Sequence, residues 1–163
     1  MTKKKYLSLN QLIAQAEKDC SEMFPWDVEE LFESSDTAKS QTLLVDIREP
    51  YEFEAMHIEN SINIPRGLLE TACEWAYDET VPELVKARQK KIILICRSGN
   101  RSLLAAQTLS IMGYEDVHSL KTGLRGWNEY DLPLINKQGP VDADDADEYH
   151  QAHVSKEQMG PAN

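Results

Sequence analysis

Ile92-Ile93-Leu94-Ile95-Cys96-Arg97-Ser98-Gly99-Asn100-Arg101-Ser102 joins an apolar run to a short polar loop that carries a cysteine, a glycine and two arginines. Ile92 to Ile95 is an unbroken apolar, β-branched run, the pattern of a strand covered on both faces. Beyond a tight loop, Leu104, Ala105, Thr108, Leu109 and Met112 recur at helical spacing, which predicts a helix over about 102–112. Gly113 is placed as its C-cap. A buried strand that delivers a residue to its carboxyl end and turns at once into a helix is a unit of a parallel α/β sheet, whose ligands gather at that end. Cys96 stands there.

Working outward, Leu43-Leu44-Val45-Asp46-Ile47 reads as a second buried strand, and Pro50 to Met56 as a helix. A short strand at Ile62–Ile64 stops at Pro65. Helical pattern spans about Leu68 to Gln89, interrupted near Pro82, and Val117–Leu120 reads as another strand. Gly126-Trp127 leads into a last short helix. Towards the N-terminus, Ser8 and Gln11 form a capping-box pattern ahead of a helix over about 9–20. Pro25 and Asp27 open a second helix with Val28, Leu31 and Phe32 on its apolar side, and Ser34–Gln41 reads as a polar connection. Strands alternating with helices predict an α/β domain with a mainly parallel sheet. The expected division is a helical extension over 1–40, the domain over 41–136 and an acidic tail over 137–163. Asp142, Asp144, Asp145, Asp147 and Glu148 make that tail a flexible or loosely packed segment.

The chain's 163 residues suit one domain. With 17 Lys and Arg against 28 Asp and Glu, the net charge is -11, which excludes nucleic acid as a partner. Small anions are then met only in a locally positive pocket. The three cysteines, Cys20, Cys73 and Cys96, form no framework of disulfides. Met1–Lys5 is basic, but Asn10, Gln11, Gln15, Glu17 and Lys18 interrupt any signal-like apolar run, and no stretch is long enough for a membrane span. A reducing cytoplasm is the expected compartment.

The loop itself suggests chemistry. Its backbone N–H groups converge on one point, and the following helix adds partial positive charge at its N-terminus. Gly99 permits the backbone turn this requires. Thiolate is the reactive form of cysteine, and the helix end, Arg97 and Arg101 all favour it over the thiol. A strand-end cysteine can also be a simple small hydrophobe, but two arginines and a glycine packed behind Cys96 argue against that.

Cys96-Arg97-Ser98-Gly99-Asn100-Arg101 resembles the active-site loop of the rhodanese family. Leu44-Val45-Asp46-Ile47-Arg48-Glu49, with His57-Ile58 and Asn63-Ile64-Pro65, is similar to that family's amino-terminal signature. Gly123-Leu124-Arg125-Gly126-Trp127 resembles its carboxyl-terminal one. The matches span about residues 43–133 in order. The resemblance implies a five-stranded parallel sheet flanked by helices, and ping-pong sulfur transfer without metal or organic cofactor. Cys96 would take a sulfane sulfur from a small anionic donor such as thiosulfate and release sulfite. The persulfide would be held by loop N–H groups from Arg97 through Ser98, Gly99, Asn100 and Arg101 to Ser102, with Arg97 and Arg101 binding the donor. A thiol, cyanide or a sulfur-carrier protein would accept the sulfur.

Four residues separate Cys96 from Arg101, one fewer than in the related phosphatase and arsenate-reductase branch, whose wider ring fits a tetrahedral oxyanion. Sulfite leaves as an anion and needs no general acid. The loop is mixed in character: Ser98 occupies a position where thiosulfate-using relatives often carry a second basic residue, and mercaptopyruvate users have Gly-Ser in place of Arg97-Ser98. A non-catalytic partner-binding module and a persulfide carrier are the other readings. Asp46 and Arg48 shape the pocket or, as the favoured reading, pair to fix the loop. His57 satisfies backbone groups. Glu59-Asn60-Ser61 replaces the family's Gly-Ala-type connection, so that turn is expected to differ. Cys73 packs on a helix in preference to acting as a resolving thiol, and Trp75, Tyr77 and Trp127 read as core or rim. His150 and His153, in a segment without a fixed scaffold, carry no metal reading.

Overall fold

A computed structural model describes residues 6–161; the basic start, Met1–Lys5, lies outside them. In chain order the elements are α1 (Leu9–Asp19), β1 (Ser21–Met23), α2 (Pro25–Ser34), α3 (Asp36–Ser40), β2 (Thr42–Asp46), α4 (Pro50–Ala55) and β3 (Ile62–Asn63). A 3-10 turn (Arg66–Leu68) precedes α5 (Leu69–Ala72), α6 (Pro82–Val85), β4 (Lys91–Ile95), α7 (Asn100–Ile111), β5 (Asp116–Leu120) and α8 (Gly123–Glu129). The chain closes with β6 (Ile135–Asn136), β7 (Gly139–Pro140), α9 (Ala143–His150) and α10 (Lys156–Met159).

The sheet has five strands, all parallel, in the order β1-β5-β4-β2-β3. Its central strands carry the unbroken apolar runs, and their side chains alternate between two cores. Leu43, Val45, Ile47, Ile92, Leu94 and Cys96 enter one core with Leu69, Ala105 and Leu109. Leu44, Ile93 and Ile95 enter the other with Val28, Leu124, Trp127 and Ala146. Each wholly buried Ile or Leu contributes about 1.5–3 kcal/mol of apolar transfer. Cys96 therefore projects towards the α7 side.

Local chemistry explains the element ends. Ser8 and Gln11 form the expected reciprocal cap of α1, and Gly113 takes a left-handed φ of 87° behind α7. Asn60 carries the Glu59-Asn60-Ser61 turn with φ 64°, a conformation that Asn tolerates better than most residues.

Four segments depart from expectation. The extension expected as helical also supplies β1, the edge strand beside β5. The connection over 34–41 holds α3, because Ser35 Oγ accepts from the N–H groups of Thr37 and Ala38 and so nucleates a turn. The helical pattern over 68–89, expected to break near Pro82, forms two helices of four residues each, α5 and α6. Ala76 takes φ 70° between them, Val81 N–H bonds the Ala72 carbonyl, and Pro82 opens a new turn. Residues 135–150, which include the start of the acidic segment, form the antiparallel pair β6–β7 and then α9, whose Ala146 and His150 are buried. Residues 151–161 are exposed. Among the described residues no helix is long and apolar enough to cross a membrane, and no group of His, Cys, Asp and Glu could hold a metal ion.

Candidate active site

Cys96 sits at the carboxyl end of β4 with 1% of its surface exposed. Gly99 N–H donates to its Sγ at 3.1 Å and Ser102 N–H at 3.4 Å, and Ser102 Oγ lies 3.3 Å away. Two backbone dipoles and the first turn of α7 thus point at one sulfur, an arrangement that stabilises negative charge there. The loop closes this tightly because Gly99 takes φ 96° and sits against Leu120 and Thr122; a Cβ there would lie 3.2 Å from Thr122 N.

Beneath the loop, α8 braces it. Leu124 N–H donates to the Cys96 carbonyl at 2.9 Å and Arg125 N–H to the Arg97 carbonyl at 3.0 Å. First-turn N–H groups of a helix have no intrahelical acceptor, so these bonds satisfy both partners. The approach is so close that a Cβ on Gly123 would stand 2.5 Å from both carbonyl oxygens. Gly126 clears space for the Thr122 side chain in the same way. The Gly123-Leu124-Arg125-Gly126-Trp127 motif is the footprint of this packing.

The two loop arginines have different partners. Arg101 donates to both Glu52 oxygens, at 2.9 and 2.8 Å, and this pairing, ahead of burial, holds its guanidinium more firmly protonated than usual. Burial draws the Glu52 carboxyl up, yet the bonds from Arg101 and backbone N–H, with the charges of Arg101 and Arg48, bring it below the usual carboxylate range. Arg97, half-buried, donates to the His150 main-chain carbonyl from Nε at 3.2 Å and Nη2 at 2.5 Å. Ser98 and Asn100 are exposed. Ser98 borders a cavity of about 260 Å³ with Thr122, Arg125, Gly126 and Glu129.

Asp46 and Arg48 are fully buried and paired with each other. Arg48 Nε and Nη2 reach Asp46 at 2.7–3.2 Å, and Nη2 also bonds the Met56 carbonyl at 2.7 Å. Asn63 Nδ2 ties the Asp46 and Arg48 carbonyls together at 3.0 and 2.9 Å. The pair braces the end of β2, where α4 brings Glu52 to Arg101. His57 Nδ1 lies 2.8 Å from the Phe53 carbonyl, the backbone role expected of it. Trp127 is core, its Nε1 bonded to the Pro133 carbonyl, whereas Trp75 and Tyr77 are exposed. Cys73 is wholly buried, and burial pushes its thiol up, which suits a packed hydrophobe and not a relay.

Reading the sequence alone misses three members. Glu52 lies on a helix whose charges look like any solvated face. Ser119 on β5 bonds Ser102 Oγ at 2.7 Å and the Gly99 carbonyl at 3.3 Å; a serine inside a strand otherwise rich in buried residues was the available signal. His150 acts through its main chain, which carries no side-chain signal.

A family model described as Rhodanese-like domain matches residues 27–130. An uncharacterised protein of Synechocystis is 34% identical over 100 residues, 61% of this chain and 50% of that protein, so the chain spans half that relative's length. A protein of Allochromatium vinosum named sulfurtransferase is 32% identical over 97 residues, 60% of this chain and 81% of that protein. A solved structure from Rhodopseudomonas palustris, of unknown function and described as a possible tyrosine phosphatase, matches with a TM-score of 0.69 and 26% identity. The match covers 87% of this chain and 99% of that one.

Proposed function

The chain belongs to the rhodanese-like domain family, and from that premise we propose that it is a sulfurtransferase that carries sulfur as a persulfide on Cys96. The convergence of Gly99 N–H, Ser102 N–H and Ser102 Oγ on Cys96 Sγ carries the reading. A thiolate so held attacks the outer sulfur of a donor, for which we propose thiosulfate. A bond forms between Sγ and that sulfur, the donor's S–S bond breaks, and its electron pair leaves with sulfite. First-turn N–H groups of α7 that have no intrahelical acceptor are available to the outer sulfur. A thiol, cyanide or a sulfur-carrier protein then attacks it and returns the Cys96 thiolate, a ping-pong cycle through a covalent intermediate.

Arg97 supports the anionic donor, because a neutral carbonyl and not a carboxylate holds it, so its charge stays uncompensated. Arg101 is neutralised by Glu52 and fits a role in rigidity. The four-residue spacing between Cys96 and Arg101 supports sulfur over a tetrahedral oxyanion. Three cysteines that stay unpaired are in keeping with a reducing, cytoplasmic setting.

Intact mass of the reduced protein before and after thiosulfate, beside Cys96→Ser, tests the reading. A gain of one sulfur, about 32 Da, in the wild type alone is expected. A reactive Cys96 that gains no sulfur from thiosulfate removes that donor. Turnover of phosphate esters would replace the reading altogether.

A further inference from the structure

The C-terminal segment takes part in the site through one contact. Asp142 caps α9 by accepting from Asp144 N–H at 2.9 Å, Asn128 on α8 donates to the Ala143 carbonyl at 3.0 Å, and Ala146 enters the core beside Leu124 and Trp127. So docked, α9 ends at His150, whose carbonyl receives the two bonds from Arg97. The last carbonyls of a helix carry the negative end of its dipole and lack intrahelical donors, so a cation is well placed there.

Three observations make this more than a helix cap. Arg97 gives its Nε and Nη2 to one oxygen, while Nη1 has no protein partner among the described residues. His150 itself is 2% exposed, and neither ring nitrogen finds a hydrogen bond of good geometry. Buried polar atoms without partners are rare and call for a reason. The last turn of α9 is thus buried at His150. It also borders a cavity of about 290 Å³ lined by Arg125, Glu129, Asp147 and His150.

We propose that the last turn of α9, through the His150 carbonyl, positions the Arg97 guanidinium and thereby sets how strongly the Cys96 site prefers anionic reactants. The proposal rests on the reading of Cys96 as the site's nucleophile. A long arginine side chain loses much rotamer freedom when it is fixed; the His150 carbonyl fixes it before the donor arrives. Held by its Nε edge, the guanidinium keeps N–H groups for an oxyanion, the planar fork that suits such a partner. His150 is a positioning residue here, acting through Arg97.

Alkylation of Cys96 by iodoacetate and by iodoacetamide, followed on the Cys96 peptide by mass spectrometry, tests this without sulfur transfer. Failure of the sulfurtransferase reading would show instead as turnover of phosphate esters, and failure of thiosulfate as donor as no persulfide from it. The ratio of the anionic to the neutral rate is expected to fall about tenfold in Arg97→Ala. It falls in the same direction in Ala146→Asp, which places a charge in the buried contact under α9. In the double variant it falls no further than in Arg97→Ala, because the two changes remove one interaction. KM for thiosulfate rises in parallel, with kcat little changed. An unchanged or increased ratio in Ala146→Asp, or an additive loss in the double variant, overturns the proposal. If Ala146→Asp does not fold, Asp142→Ala, an exposed cap change, carries the same expectation at smaller size.

Discussion

Arg101 and Glu52, 49 positions apart in the chain, face each other with two hydrogen bonds of 2.9 and 2.8 Å across the rim of the Cys96 loop. The arginine is 41% exposed and the carboxylate 11%, so solvent screens part of their attraction. Glu52→Gln is expected to cost about 1 kcal/mol at neutral pH. The sign of its pH dependence follows from the Glu52 carboxyl lying below its ordinary value near 4.5. Such a group stabilises the fold fully above that ordinary value and loses its contribution as pH falls through the lowered one. Urea unfolding should therefore show a gap between wild type and variant at neutral pH that closes in acid. A gap that persists or widens there would exclude the pair as its source.

Gly123→Ala should be the most disruptive single-methyl change near the site. Its Cβ meets the Cys96 and Arg97 carbonyls at 2.5 Å, and its φ of +60° disfavours any side chain. Overpacking and backbone strain together predict a loss of about 2–4 kcal/mol. Thermal unfolding measures it, and a variant within about 0.5 kcal/mol of wild type would mean that α8 does not brace the loop as described.

Ser102→Ala removes a hydroxyl that touches Cys96 Sγ, Gly99 carbonyl and Ser119 Oγ. Ser119 keeps its own bond to the Gly99 carbonyl at 3.3 Å, so the expected stability loss is modest, about 1 kcal/mol. The larger effect is on the sulfur, which loses its one side-chain neighbour able to donate to it. Sulfite release from thiosulfate should slow by about tenfold, because the hydroxyl helps hold the negative thiolate that attacks the donor. An unchanged rate beside the same stability loss would give the hydroxyl a structural role alone.

His150→Leu should stabilise the protein by about 1 kcal/mol, since it removes two buried nitrogens that lack a hydrogen bond of good geometry. Burial first, then the charges of Arg48 and Arg97, lower the proton affinity of the imidazole; the Ala146 carbonyl and Asp147 oppose them without prevailing. A histidine shifted down contributes fully above its ordinary value near 6.5 and weakens the fold as pH drops below it. Wild type should lose stability from this source as pH falls below the histidine's ordinary value near 6.5, and His150→Leu should lose less. Parallel curves for the two proteins below that value would contradict the burial of a neutral ring.

What the sequence determined by itself was everything carried by near neighbours along the chain. The run Ile92–Ile95 specified a doubly covered strand, because every side chain on it, odd or even, had to be apolar. Cys96, Gly99 and Ser102 specified the cradle, because a strand-to-helix turn of that length aims its N–H groups inward whatever surrounds it. Gly123 and Gly126 were legible as a motif, though the reason for their smallness was not. Only the tertiary structure decided the partners. Ser21–Met23 is too short to show a strand period and becomes β1 only because β5 offers it an edge. Glu52 looks like its exposed neighbours until α4 turns it to Arg101. The segment from Lys137 onward reads as an acidic, flexible or loosely packed tail, yet Ala146 and His150 are buried and α9 brings a main-chain carbonyl to Arg97. Periodicity reports which face a residue shows; which distant group meets that face depends on how the elements pack, and a backbone carbonyl has the same composition at every position.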